Sequence, residues 1–148
     1  MFADDAILAL TCWRENRGGG YTGMQSVSNV IQNRAKKHGT SLYQECVKPL
    51  QFSSLTAKGD PELTLWPKPD DAQWLTAQQI AAQAVDGTLA DLTMGADLYY
   101  NPDTIARDSN HKTIELPDGQ TLAFPGSWNP AAVTYLTTIA GHAFFREK

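Results

Sequence analysis

The chain is poor in the residues from which metal centres, disulfide scaffolds and membrane spans are built. It holds two cysteines and three histidines in 148 residues. Cys12, Cys46, His38, His111 and His142 show no paired C-x-x-C or H-E-x-x-H spacing, so neither a metal site nor a cofactor is expected. The cysteines read as two buried free thiols, with one Cys12–Cys46 disulfide as the alternative. No apolar run approaches the roughly 18 residues that cross a bilayer, so membrane insertion is not expected. The run Ala6–Leu10 follows Asp4 and Asp5, with neither a basic leader nor a small-residue cleavage site, and a chain without an export signal is expected. Basic residues are outnumbered, 12 against 16 acidic, leaving a net charge of −4. That is the wrong sign for a partner recognised through its phosphate backbone, so nucleic acid is not expected.

What is present suits a folded enzyme-sized core. An apolar share of 42% with 19% charged residues argues against disorder, and the length fits one domain over residues 1–148 with one main cleft. A first helix is expected from an Asp4 or Asp5 cap to Asn16, stopped by Arg17 and Gly18-Gly19-Gly20. A second opens on a Thr22/Gln25 capping box, carries Met24, Val27, Ile31 and Ala35 on its inner stripe, and ends at Gly39. A short helix over 41–47 has Ser41 and Gln44 as its own capping box. Gly59, Pro61, Pro67 and Pro69 make 50–71 a long loop. A third long helix follows over 71–86, offering Trp74, Ala77, Ala81, Ala84 and Val85 for packing, with Gly87 as its stop.

The last third reads as short strands: 98–100, a hairpin of 113–116 with 120–124, and a second of 133–139 with 143–146. The class is α+β, with a mainly helical core and short β-hairpins in the C-terminal third.

Glu15 is the strongest candidate for chemistry. It extends the mostly apolar stripe of Leu8, Thr11 and Cys12 and lies in the last turn of its helix, near the negative end of the dipole; both features disfavour its charged form. A glutamate at about 4.3 is roughly 0.2% protonated at pH 7, and one raised to about 6 is roughly 10% protonated, the stock of acid a glycosidic leaving oxygen draws on. The alternative is a surface glutamate paired with Arg14 or Arg17.

The stretch from Arg14 to Gln25, through Glu15, Arg17, Gly18, Tyr21 and Gly23, continues through Val27 to Asn33-Arg34. With Gln51-Phe52-Ser53, Gly95-Ala96, Leu98-Tyr99-Tyr100-Asn101-Pro102, Trp128, and Ile139 to His142 with Phe144 and Arg146, it resembles the SleB-type cell wall hydrolase family over nearly the whole chain. The resemblance implies a lysozyme-like fold and cleavage of the glycan strand of peptidoglycan, with Glu15 as acid and then base. Three departures stand out. Gly19 replaces a frequent second acidic residue, Ala140-Gly141 replaces glycine-asparagine before the histidine, and residues 107–124 insert a hairpin ahead of Trp128.

A two-carboxylate hydrolase needs a second acid facing Glu15. Asp60, Asp70, Asp71 and Asp97 read more simply as turn and cap residues. A lytic transglycosylase needs one acid only, and the single-carboxylate inventory favours it over a muramidase or a non-catalytic wall-binding module. Gln51, Phe52, Ser53 and Asn101 are assigned to the cleft wall, against a turn-stabilising role. Tyr99 and Tyr100 must point to opposite faces of their strand, so at most one lines the cleft. Trp128 and His142 are substrate-binding candidates, each with a structural alternative, and Asn33 and Arg34 are expected to tie down carbonyls at the end of helix two. The implied partner is peptidoglycan. A wall-cutting chain made in the cytoplasm without a visible signal implies a phage endolysin released through a holin, or cargo of a secretion machine.

Overall fold

The computed structural model describes residues 3–49 and 51–148, apart from the side chain of Ser53. The described residues form two units, residues 3–92 and 93–148.

The first unit is helical. Helix α1 (Ala3–Asn16) runs into a 3-10 turn (Arg17–Gly19) and directly into α2 (Gly20–His38), followed by α3 (Leu42–Val47), α4 (Ser53–Thr56), a second 3-10 turn (Pro61–Thr64) and α5 (Ala72–Asp86). Helix α1 packs against α5, α2 and α3. Its buried stripe of Leu8, Ala9 and Cys12 is joined in the core by Met24, Val27, Val30 and Ile31 of α2 and by Ala77, Ile80 and Ala81 of α5. Each large aliphatic side chain buried this way contributes about 1.5–3 kcal/mol relative to exposure. The alanines of α5 leave room for neighbouring helices to approach closely.

Most boundaries follow from local chemistry. Asp71 accepts hydrogen bonds from the Gln73 and Trp74 amides to start α5, and Gly87 ends it in the left-handed conformation. The Ser41/Gln44 capping box of α3 forms with both reciprocal bonds in place. The expected Thr22/Gln25 box does not form. Three glycines do not stop the chain here; they let it turn once and start α2 at Gly20, so Thr22 is already inside the helix and Gln25 instead donates to the Ala90 carbonyl. The segment 51–71, expected as loop alone, carries α4 and a 3-10 turn begun by Asp60 and Pro61. Val85, expected to pack, is exposed on α5.

The second unit is built on a three-stranded antiparallel sheet in the order β1-β5-β4, from β1 (Leu98–Tyr100), β4 (Val133–Ile139) and β5 (His142–Glu147). A separate hairpin pairs β2 (Lys112–Glu115) with β3 (Thr121–Phe124). Both expected hairpins are present, and an unexpected short helix, α6 (Pro102–Ala106), starts at an Asn101 cap with Pro102 in its first turn. The β4–β5 turn places Ala140 at φ 48° and Gly141 at φ 80°. Two successive positive φ values match the twist of the flanking strands.

Tyr100, Phe124, Ala143 and Phe145 form this unit's core, with Trp128 and Tyr135 packed against it. Tyr100 stacks on Phe145 at 5.3 Å and meets Phe124 and Trp128 edge-on. Among the described residues, no helix is long and apolar enough to cross a membrane. Cys12 and Cys46 are buried free thiols, the first of the two alternatives.

Candidate functional site

The last turn of α1 is held by a dense set of side-chain bonds. Glu15 is half-buried, and its Oε1 accepts a 2.7 Å hydrogen bond from Ser54 Oγ on α4. Arg14 points elsewhere: it is 6% exposed, its Nη1 donates to the Ser54 carbonyl at 3.0 Å, and its Nε and Nη2 both donate to the Leu65 carbonyl. The guanidinium lies 4.8 Å from the Trp66 ring centroid. Burial lowers the Arg14 pKa, opposed by the charges of Glu62 and Asp60. Arg17 makes a two-pronged ion pair with Glu62 at 2.7 and 2.9 Å and lies over the Trp13 ring. The two arginines weighed as surface partners of Glu15 are thus engaged with the segment 54–65.

The glycine at 19, where a second acid was considered, has its own geometric reason. A Cβ there would meet the Asn16 amide group at 2.7–2.9 Å, so a larger residue 19 requires the Asn16 side chain to shift. Asp60 accepts from the Glu62 amide and Asp71 caps α5, the structural roles expected of them.

Gln51 and Phe52 are drawn inward. Gln51 Oε1 accepts from Arg34 Nη2, and Phe52 is 3% exposed, which leaves its ring no free face for a sugar. Ser53 opens α4, and its side chain lies outside the described residues. Arg34 also reaches Glu45, which accepts from Thr40 Oγ1 at 2.7 Å and stands 2.7 Å from His38 Nδ1. Asn33 donates to Asp91 Oδ2 at 3.1 Å. Asn33 and Arg34 therefore tie α2 to Asp91, Glu45 and Gln51.

In the second unit, strand alternation separates the two tyrosines. Tyr100 is 7% exposed, and its hydroxyl donates to the Ala123 carbonyl at 2.7 Å. Tyr99 lies half-buried on the other face, 5.0 Å from the His142 ring and 5.7 Å from Phe144. Burial lowers the His142 pKa, which disfavours the charged ring. Asn101 Oδ1 accepts from the Asp103 and Thr104 amides as the cap of α6. Trp128 packs edge-on against Tyr100, Phe124 and Phe145. Among the described residues, no group of three or more His, Cys, Asp or Glu side chains is placed to hold a metal ion.

Ser54 was missed from sequence, and Arg14 was weighed only as a surface partner of Glu15, whereas it is buried against two carbonyls. Ser54 adjoins the Gln51-Phe52-Ser53 motif but carried no signal of its own. Arg14 falls on the helical stripe Ala3, Ile7, Leu10, where a charged side chain asks for buried partners.

Three comparisons bear on identity. Among curated proteins no relative matches significantly. The structure of the catalytic domain of the germination-specific lytic transglycosylase SleB from Bacillus anthracis aligns with a TM-score of 0.64 at 23% identity, covering 97% of this chain and 94% of that one. The likeness places the α+β, mainly helical chain in the same lysozyme-like fold, as expected from sequence. The sequence pattern of the cell wall hydrolases matches residues 18–145, beginning three residues after Glu15. With that span matched, the chain belongs to the cell wall hydrolase family.

Proposed function

We propose that the protein cleaves the peptidoglycan glycan strand between N-acetylmuramic acid and N-acetylglucosamine, as a lytic transglycosylase with Glu15 as its acid and base. The observation that carries this reading is the Ser54–Glu15 hydrogen bond, which holds a half-buried carboxyl at the end of α1. Membership of the cell wall hydrolases supports the substrate, and the fold shared with a lytic transglycosylase domain supports the reaction.

In the proposed step, Glu15 protonates the leaving oxygen as the bond from the muramyl anomeric carbon breaks. The muramyl 6-hydroxyl then attacks that carbon and returns its proton to the Glu15 carboxylate. The products are a 1,6-anhydro end and a free N-acetylglucosamine 4-hydroxyl, with no water consumed. The nearby acids support one-carboxylate chemistry, since Asp60, Glu62 and Asp71 serve as cap, ion-pair partner and cap. Tyr99 and His142 are the sugar-contacting candidates of the second unit. Delivery as a phage endolysin through a holin, or as cargo of a secretion machine, would bring the chain to its wall substrate.

Mass spectrometry of digested sacculi tests the reaction. Anhydro-muramyl ends are expected, and reducing ends as the main product would replace transglycosylation with hydrolysis. Glu15→Gln should lower release at least about 100-fold, the scale of a lost general acid. Undiminished lysis by that variant would remove Glu15 from the mechanism, and wild-type release at intact binding would defeat the whole assignment of the acid.

A further inference from the structure

We propose that Arg14 is a positioning residue for Glu15 and acts through Ser54. The inference rests on the reading of Glu15 as the acid. Ser54 is bonded on both sides: its carbonyl accepts from Arg14 Nη1 at 3.0 Å and its hydroxyl donates to Glu15 Oε1 at 2.7 Å. Arg14 and Glu15 are consecutive on α1, so their side chains leave the helix about 100° apart and one residue of α4 can serve both.

The guanidinium is suited to this task. Its planar fork spans two carbonyls of one segment, Ser54 and Leu65, while its face lies against Trp66. Burying a cation against carbonyls costs desolvation, which is offset only when several charge-assisted bonds form together. What those bonds fix is the placement of residues 54–66 against the end of α1. Ser54 is thereby brought within reach of the carboxyl, and its hydroxyl restrains the rotors of that side chain.

A hydroxyl donating to a carboxylate also favours the ionised form. Its loss should lower the rate through poorer orientation and extend the protonated range of Glu15 to higher pH. Ser54→Ala replaces none of the charged and titratable groups around this turn, Cys12, Arg14, Arg17, Asp60, Glu62 and Asp71. Displacement of the alkaline limb of activity therefore reports on the Ser54 bond.

The experiment measures initial muropeptide release from purified sacculi against substrate concentration and pH, for Ser54→Ala, Ser54→Thr, Arg14→Lys, the Arg14→Lys/Ser54→Ala double variant and Glu15→Gln. Expected results are a fall in kcat of about tenfold for Ser54→Ala at unchanged apparent KM, with the alkaline limb moved to higher pH. Ser54→Thr, which keeps the hydroxyl, should recover most of the rate. Arg14→Lys, which keeps the charge without the fork, should reproduce the limb displacement, and the double variant should fall within about twofold of Ser54→Ala. Wild-type rate and pH profile for Ser54→Ala, or losses that multiply in the double variant, would overturn the proposal while an inactive Glu15→Gln left the function standing. A fully active Glu15→Gln would instead overturn the reading of the acid, and this proposal with it.

Discussion

His38 Nδ1 and Glu45 Oε1 stand 2.7 Å apart, the first on a partly exposed side chain and the second on a carboxyl 1% exposed. Burial alone would raise the Glu45 pKa, but hydrogen bonds from Thr40 and His38 and the charges of His38 and Arg34 outweigh it and hold the carboxyl below its ordinary value. A depressed carboxyl pKa adds stability above the unfolded value, near 4.5, and that stability is lost as pH falls through the lower folded value. Thermal melts should therefore show Tm dropping below about pH 4.5, with a shallower drop in Glu45→Gln. At pH 7 that variant should lose about 3 kcal/mol, because Arg34 and His38 keep their places without the charge they face. A Glu45→Gln protein as stable as wild type at pH 7 would remove this cluster from the folding energetics.

The contrast between that cluster and the helices around it shows what was legible in sequence. Period and caps located α1, α2, α3 and α5, and local caps set the starts of α3 and α5, as at Ser41 and Asp71. By contrast, α1 is already helical at Ala3, ahead of the expected Asp4 or Asp5 cap, and α2 begins at Gly20. The Glu45 cluster and the Arg14 bonds were not legible, since they join groups 5 to 51 residues apart whose meeting depends on helix packing. Thr22 and Gln25 mislead for the same reason: their spacing satisfies a local rule, but Gln25 finds the Ala90 carbonyl 65 residues on. Glu15 was singled out because its helical position and its neighbours in sequence pointed the same way, whereas Ser54, its hydrogen-bond partner, has only tertiary proximity to mark it.

The two tyrosines of β1 should separate stability from substrate handling. Tyr100→Phe deletes a buried hydroxyl bonded to the Ala123 carbonyl and should cost about 1 kcal/mol in urea melts. Tyr100→Ala should cost about 3–5 kcal/mol, the scale for emptying an aromatic core position. Tyr99→Ala removes a half-buried ring lying against His142 and Phe144 and should chiefly raise the apparent KM for sacculi. Equal destabilisation by the two alanine variants would show that Tyr99 is a core residue as well.

Ala140 occupies the left-handed region, at φ 48°, directly before Gly141 at φ 80° in the β4–β5 turn. An alanine held there costs about 1–2 kcal/mol relative to ordinary backbone, and asparagine tolerates the conformation better. Ala140→Asn creates the Asn-Gly pair favoured in two-residue hairpins and should raise stability by about 0.5–1 kcal/mol, or a few degrees in Tm. An unchanged or lowered Tm would mean that the turn is strained by its surroundings rather than by its own backbone.

Both thiols are sealed by burial. Desolvation, with the nearby Cys46 and Glu15, pushes Cys12 well up, and desolvation drives Cys46 up to about 12 despite a hydrogen bond to Thr11. Neither supplies thiolate at neutral pH, so iodoacetamide at pH 8 should leave the native protein unmodified and its lytic rate unchanged, while both thiols react in urea. Modification in the folded state should then proceed only as fast as the protein opens. Rapid native alkylation accompanied by loss of lysis would point instead to thiol-dependent cleavage of the stem peptide, a reaction in which Glu15 and its hydrogen bond from Ser54 would play no part.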